Sequence, residues 1–569
     1  MPRLKPAGPF KSAPRKQNRT WKVFPSRPFA LLFAICIFMT ASLCIADPIL
    51  AEDRDPSGAP RQVTVPAPPA EALFKAGVLK SDADAMPAPE QIFSNYTNAV
   101  PQKKAYLRAG AEIVLFYGIA EAYYQATVSD PTSYEYKTYE DSLRARFITG
   151  DAYRLDLNSW STNVAHVADG TSFYLLSRTN NLSLPESFLI NTGASTAWEM
   201  FGEYRDEFSI NDAVMTPFGG FATGEVIYQL GEFFQHSSDT IPNRALGYLF
   251  GPSVAFHRWL DNTQPKAPAN VDKFGFTTDA WHRFRVFAGG GVSDSGNSGG
   301  QRAEAEAGFD FEVVTAEKYG KPGEVCLFYV EGVFNDLSFK AAQADNEMVD
   351  MRFFAKTAFL GRYQQNIIKD QASRGLEGYS LFMGLSSAFE YYAHDFSGMR
   401  REDTLAICDL VGPTLIADYY HQGFHVRASA DVFPTFSMVH PAAGGLYDQN
   451  HDTTGVRGIY RAHGYYYALG MGTAGKVELD YGPFGLEGQV RYHLFDSIDG
   501  LDRVQDRATN DIPFDDERLS LRVALYYKLP IDNLKLALDV ERIYRWSNIA
   551  DFSWDIDETR YLGKVVFEF

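Results

Sequence analysis

Cysteine is scarce in this chain. Four occur in 569 residues, and two of them, Cys36 and Cys44, fall in one apolar stretch near the start. Cys326 and Cys408 stand far apart, with no CxxC and no Cys/His spacing, so no metal site is expected and no disulfide framework is legible. Whether the two pair is left open by spacing alone. Positive charge is also short: 53 Lys and Arg against 71 Asp and Glu give a net charge of −18. Phosphate contacts need clustered Lys and Arg, so nucleic acid is not an expected partner. No HExxH and no serine-hydrolase elbow stand out, and Ser195 in Gly193-Ala194-Ser195 is too weak a signal to name a nucleophile. No cofactor motif is found. Apart from Phe29–Ala46, no long apolar run is present.

That run follows a basic start without acids and ends on Cys44-Ile45-Ala46, small residues before Asp47. Residues 1–46 therefore read as a secretory signal cleaved near Ala46, with Ala51 a second candidate and no lipoprotein box. Residues 47–101 are rich in Pro, Ala and acids, a composition that cannot bury a core and predicts a disordered linker.

Residues 102–262 carry helical spacing and form a predicted helical domain. Lys103–Thr127 has helical apolar spacing but is interrupted by Glu112 and Glu121, too polar for a confident membrane span. In Asp156–Asn181, residues His166, Gly170, Tyr174 and Arg178 recur every four and would line one helical face, with Asn163 near its start. Gly170 would let another helix approach. The stretch Ser195–Glu225 then concentrates six carboxylates among apolar residues. Glu199 and Glu203, beside Trp198, are four apart and would share a helical face. Ser209 reads as an N-cap before Asn211 and Asp212. Pro217, Gly219 and Gly220 are expected to interrupt or kink the helix before Glu225 starts another run. Small residues at these positions suggest tight helix packing. His166 with Glu199, Glu203, Asp212 or Glu225 would be an acid–base set, although a lone helical His is more often structural.

The ordered motifs Asn163-x-x-His166-x-x-x-Gly170, Tyr174, Arg178, Trp198-Glu199-x-x-x-Glu203, Ser209-Ile210-Asn211-Asp212, Gly219-Gly220 and Gly224-Glu225 resemble those of an uncharacterised bacterial cell-envelope family, a domain of unknown function. The family's His-Pro pair is absent, since Val167 follows His166. The resemblance implies a Gram-negative envelope protein and no particular reaction.

After Asp261 the period shifts to two. Ala303–Val313 alternates Ala, Phe and Val with Glu, Gly and Asp. Fourteen segments in 263–569 read as strands, among them Val325–Phe334 and Leu337–Ala344, and Tyr465–Thr473 and Lys476–Tyr481. Many have about ten residues, the length that spans an outer membrane when tilted. Bacterial barrels take even strand numbers, so about twelve is expected, with ten and fourteen beside it. The chain ends on an alternating strand with Phe569 last. That resembles the terminal signal which outer-membrane barrels present to their assembly machinery.

The expected fold is α+β: a helical unit that is a plug or a periplasmic cap, then an antiparallel transmembrane barrel in the outer membrane. The expected function is transport, binding or envelope organisation, with outer-membrane lipids and the assembly machinery as partners. The alternatives are an envelope-lipid-modifying enzyme using the His/carboxylate set, and a soluble periplasmic β-protein.

Overall fold

The computed structural model describes residues 103–127, 135–263, 268–296, 300–369, 375–397, 401–453, 456, 458–503 and 512–569. All lie in one compact unit. The expected signal segment and linker, 1–101, lie outside the described residues.

The helical part contains α1 (Tyr106–Thr127), α2 (Tyr139–Arg144), α3 (Trp160–Thr179), α4 (Leu184–Ala197), α5 (Ile210–Gln235), α6 (Ile241–Phe250) and α7 (Pro252–Leu260). Side chains set the starts. Ser159 caps α3, Ser209 caps α5 by accepting from the Asp212 N–H, and Ser183 with Glu186 forms a capping box on α4. Two short strands, β1 (Tyr153–Arg154) and β2 (Phe208–Ser209), pair in parallel and tie the entries of α3 and α5 together.

Two expectations are corrected here. Pro217 and the Gly219-Gly220 pair do not end a helix: α5 runs through them for 26 residues. Its weak propensity is offset by packing. A Cβ on Gly220 would lie 2.3 Å from the Gly170 carbonyl carbon, and one on Gly170 would lie 1.8 Å from the Thr216 carbonyl oxygen, so α3 and α5 meet backbone to backbone. Asn191 Nδ2 also donates to the Pro217 carbonyl at 3.2 Å. Second, Glu199 and Glu203 do not share an α-helical face. The helix widens to a π turn over Trp198–Gly202, and Glu203 lies beyond it. The Arg146 guanidinium donates to the carbonyls of Glu199, Glu203 and Asp206 and holds this end open.

Twelve strands follow: β3 (Trp281–Ser295), β4 (Gly300–Val314), β5 (Gly323–Ala344), β6 (Glu347–Lys369), β7 (Leu376–Phe396), β8 (Arg401–His421), β9 (Phe424–Val439), β10 (Tyr466–Tyr481), β11 (Phe484–Ser497), β12 (Phe514–Lys528), β13 (Leu534–Ile549) and β14 (Phe552–Glu568). They close into an antiparallel barrel in which β14 pairs with β3. The fourteen expected segments reduce to twelve because two pairs are single strands. Val325–Phe334 and Leu337–Ala344 belong to β5, and Tyr465–Thr473 and Lys476–Tyr481 fall on β10 apart from Tyr465 itself. Polar Asn335-Asp336 and small Ala474-Gly475 imitate turns in the sequence. The rim that carries the start of β3 and the end of β14 is called the lower rim, and the opposite one, with 440–453, 458–465 and 498–503, the upper.

Alternation sorts the strand side chains into two sets. One set meets across the barrel. Arg560 on β14 pairs with Glu304, Glu306, Asp350 and Glu541; Arg283 on β3 pairs with Glu478 on β10; Arg518 and Arg545 share Asp403. Pairs between strands this far apart mark the lumen. Above the charges, Tyr447 and Tyr460 from 440–465, where helices α8 (Gly444–Asn450) and α9 (Gly458–His463) lie, pack with Tyr392, Phe495 and Phe514. Below them, Tyr319 packs with Phe334, Tyr363 and Phe382 and donates to Asp418. The lumen is thus closed by its own side chains. A cavity of about 30 Å³ lined by Glu312, Lys356, Arg427 and Glu478 lies among the charges, and one of about 280 Å³ sits at the lower rim near Trp281, Arg285 and Glu568.

The other set faces out. On β11 to β14 it is an exposed belt that includes Leu486, Val490, Val523, Leu525, Leu538, Val540 and Val565. On β3 to β10 part of it is covered, and the cover is the helical unit. Met215 and Val167 pack with outward Phe389, Cys408, Phe436 and Tyr467, while Phe233 and Phe234 pack with outward Phe284 and Phe311 near the lower rim. The unit is therefore not a plug: α5 descends the outer wall from the upper rim to the lower. Where it runs, the ladder is irregular. Bulges fall at Val330/Phe334 of β5, Ala358/Leu360 of β6, Ser386/Ala388 of β7 and Asp409/Thr414 of β8. A bulge bends its strand. The bulged Phe359 meets Phe221, and a Cβ on bulged Gly332 would lie 2.6 Å from Glu225 Oε1. Cys408 is buried on this wall, whereas Cys326 is exposed, and both are free thiols.

The backbone contact of α3 and α5 is tested by Gly170→Val. It should destabilise the helical unit by about 1–3 kcal/mol through overpacking. Limited proteolysis should then cut α3–α5 faster, and unchanged protection of these helices would contradict the contact.

Candidate functional site

Conserving a polar group in an apolar setting requires partners for it, so the buried polar residues of the helical unit are where chemistry would reside. Those singled out by the sequence motifs fall into two clusters on α5, at Asp212 and at Glu225, which are 13 residues or ~20 Å apart along the helix axis.

The upper cluster joins Asp156, Asn163, His166, Glu199, Ser209, Asn211 and Asp212. The capping position of Ser209 brings the start of α5 against the segment before α3. Asp156 Oδ2 accepts from Ser209 Oγ at 2.9 Å and Asn211 Nδ2 at 3.0 Å, and Asp156 Oδ1 accepts from Tyr467 on the barrel wall at 3.0 Å. Asn163 Nδ2 lies 2.7 Å from the hydroxyls of both Tyr465 and Tyr467. His166 Nε2 is 3.4 Å from Asp212 Oδ2, and its Nδ1 is 3.8 Å from Asp169 Oδ2. Glu199 Oε2 accepts from the Ser209 N–H at 2.9 Å. Glu203 instead accepts from the indole N–H of Trp198 at 3.1 Å, and Trp198 stacks on Tyr117.

Burial pushes the Glu199 carboxyl well above the usual carboxylate range, and the nearby Glu203 and Asp212 carboxylates push it further. Burial acts the same way on Asp156, but the hydrogen bond from Asn211 and the Arg503 charge outweigh it and hold its carboxyl below the ordinary value. The cluster thus sets a carboxyl held below its ordinary value at Asp156 beside one pushed well above it at Glu199. Among the described residues, His166 Nε2 has no hydrogen-bond partner in this buried network, and neither of the two cavities described above is lined by these residues.

The lower cluster holds the remaining candidates. Glu225 receives Arg178 in a bidentate pair at 2.8 and 3.0 Å, Tyr174 at 2.7 Å and Gln229 at 2.7 Å. The Arg178 guanidinium also lies 4.3 Å over the Tyr228 ring. Glu225 is fully buried beside the β5 bulge. The four-residue spacing of His166, Gly170, Tyr174 and Arg178 thus serves both clusters, with Gly170 and Gly220 the crossing point between them and Gly219 against Val167 and Cys408.

Sequence reading missed one further cluster. Glu390 of β7, Asp409 of β8 and His493 of β11 are buried in the lumen, and one ligand atom from each falls within 4.8 Å of the others. Among the described residues, this set could hold a divalent cation by donor type. No local spacing signals it, because the three strands are brought together only by closure. Gly296-Asn297-Ser298-Gly299-Gly300 has the residue spacing of a hydrolase elbow, but it joins two antiparallel strands rather than a strand and a helix.

The fold and these clusters define a closed twelve-stranded barrel that carries a helical domain on its outer wall. Residues 152–253 match the model of the family described as "Domain of unknown function (DUF3943)". This match contains the motifs read from the sequence, Asn163 to Glu225. No curated protein matches the chain. Similar solved structures include a porin (9% identity, 51% of this chain and 100% of that chain, TM-score 0.17). Others are the outer membrane protein OprD from Pseudomonas aeruginosa (9%, 51% and 94%, 0.16) and the outer membrane channel DcaP of Acinetobacter baumannii (10%, 53% and 100%, 0.19). At these scores they carry no argument, and the barrel rests on its own strand pairing.

Glu199 sets a pH test. A carboxyl with a raised folded pKa binds more protons folded than unfolded, so its stabilisation is present at acidic pH. It is lost as pH rises from the ordinary value of 4.5 through the folded one. Denaturation of the helical unit, followed by tryptophan fluorescence, should weaken across that window by up to ~1.4 kcal/mol per pH unit. Glu199→Gln should flatten the slope, and an unchanged slope in this variant would refute the assignment.

Proposed function

We propose that the protein is an outer-membrane barrel that acts in binding or envelope organisation as a membrane anchor for its helical unit, and not as an open channel. The observation that carries this is the filled lumen: Arg560 alone is fully buried against four carboxylates. A buried charge network of this kind is costly to break, and Tyr319 and Tyr460 cover it at the two rims. The exposed apolar belt on β11 to β14 suits hydrocarbon and does not suit a soluble barrel. With the usual orientation, the lower rim faces the periplasm and outer-membrane lipids surround the belt.

Reconstituted in planar bilayers, the full chain should show no steady conductance at modest voltage. A stable open level of the kind an aqueous pore gives would overturn the reading. The terminal strand is proposed to engage the barrel assembly machinery. Phe569 itself donates its N–H to the Phe284 carbonyl at 2.8 Å and packs against Phe274. Deleting Phe569 should lower the amount of heat-modifiable protein in the outer membrane, and normal levels would argue against that role.

A further inference from the structure

The helical unit is built inside out. On α1 the exposed positions are Tyr106, Leu107, Gly110, Ala111, Val114, Leu115, Gly118, Ile119 and Ala122, with no charge among them. Its Arg108 and Glu112 turn inward instead. Arg108 meets Asn180 and Asp261, and Glu112 is buried against Asn180 and His257. On α4 the exposed positions are Pro185, Leu189 and Gly193, while Ser187, Asn191 and Ser195 are buried. Phe147, Ile148 and Phe201, near the end where α4 opens into its π turn, are exposed as well. A helix on a water-soluble domain shows the reverse arrangement.

We infer that α1, α3, α4 and α5 lie in the bilayer beside the barrel, with the exposed faces of α1 and α4 in contact with lipid hydrocarbon. The inference rests on the outer-membrane placement proposed above. Three further observations support it. The unit sits on strand residues that face outward, so its surface continues the barrel's lipid belt. Its axes have the right length: α1 with 22 residues and α5 with 26 are ~33 and ~39 Å long, against a hydrocarbon core of ~30 Å. Its helices contact through Gly170, Gly220, Gly231 and Gly251, the small-residue packing that association inside lipid requires. None of the described helices is long and apolar enough to cross a membrane by itself. This follows from the same architecture. Only one stripe of α1 and of α4 needs to be apolar, and α5, walled in by α3, α4 and the barrel, carries Glu225 already neutralised by Arg178.

The chain is tested whole, with Cys36→Ser, Cys44→Ser, Cys326→Ser and Cys408→Ala, carrying one new cysteine labelled with a solvatochromic dye in phosphatidylcholine vesicles. Leu115→Cys on α1 and Leu189→Cys on α4 report the proposed lipid face. Leu538→Cys, 65% exposed on the barrel belt, is the lipid reference. Asp532→Cys in the lower turn, with a side chain 98% exposed, is the water reference. The Leu115 and Leu189 labels should show the blue shift of the Leu538 label and be quenched by spin-labelled acyl chains. If both emit like the Asp532 label while Leu538 stays blue-shifted, the helices are outside the bilayer and the inference fails while the barrel reading stands. If Leu538 also emits like Asp532, the membrane placement itself fails. A labelled variant that does not fold is replaced by Val114→Cys, 69% exposed on the same face of α1.

Discussion

The contact on which the rest depends is the seat of α5 on the barrel. Near its middle α5 has glycine on two sides: Gly219 lies against Val167 and Cys408, and Gly220 against the backbone of Gly170. These residues let α3 and the wall both close on α5 without a gap. A helix held this way buries nearly every side chain, so its polar residues must find partners within the unit. Asp212 does so at the upper end through Asn211, with His166 Nε2 3.4 Å away, and Glu225 at the lower through Arg178, Tyr174 and Gln229. The clusters that look like chemistry in sequence are thereby explained first as the cost of burying α5.

The barrel shows the same division between what faces in and what faces out. Its lumen is charged and full, and its outer face is apolar, whether covered by helices or bare. A channel needs the first of these to be wet. Here buried arginines such as Arg518, Arg545 and Arg560 occupy the axis with their carboxylates. Their alternation along β12 to β14 is what the period of two requires, so pattern alone cannot tell a filled lumen from an open one.

Much of the architecture was legible. The alternation of Ala303–Val313 and of the C-terminal strand marks barrel strands, and the cap at Ser209, the spacing of His166 to Arg178 and the close approach at Gly170 are all present. The position of the helical unit was not legible, for a physical reason. Phe389, Cys408 and Phe436, which meet helices, belong to the same outward apolar set as the exposed residues of β11 to β14, so covered and bare walls have one signature. The continuity of α5 was hidden because Pro and Gly predict a break unless a neighbour supplies the packing. The Glu390, Asp409 and His493 grouping was invisible because closure, not spacing, assembles it.

The run of bulges on β5 to β8 has a consequence for how separable the two halves are. With α5 removed, the wall there would present Asn335, Thr357 and the Gly332 carbonyl toward the outside. These groups now satisfy each other beneath the helix: Asn335 donates to the Gly332 carbonyl at 2.9 Å and accepts from Thr357 at 2.8 Å. They sit in dents shaped for side chains from another element. A sheet with dented, polar patches makes a poor neighbour for acyl chains. The boundary between helices and strands in the sequence is therefore not a joint at which the molecule can be divided. The barrel is one half of a shared interior whose other half precedes it in the chain.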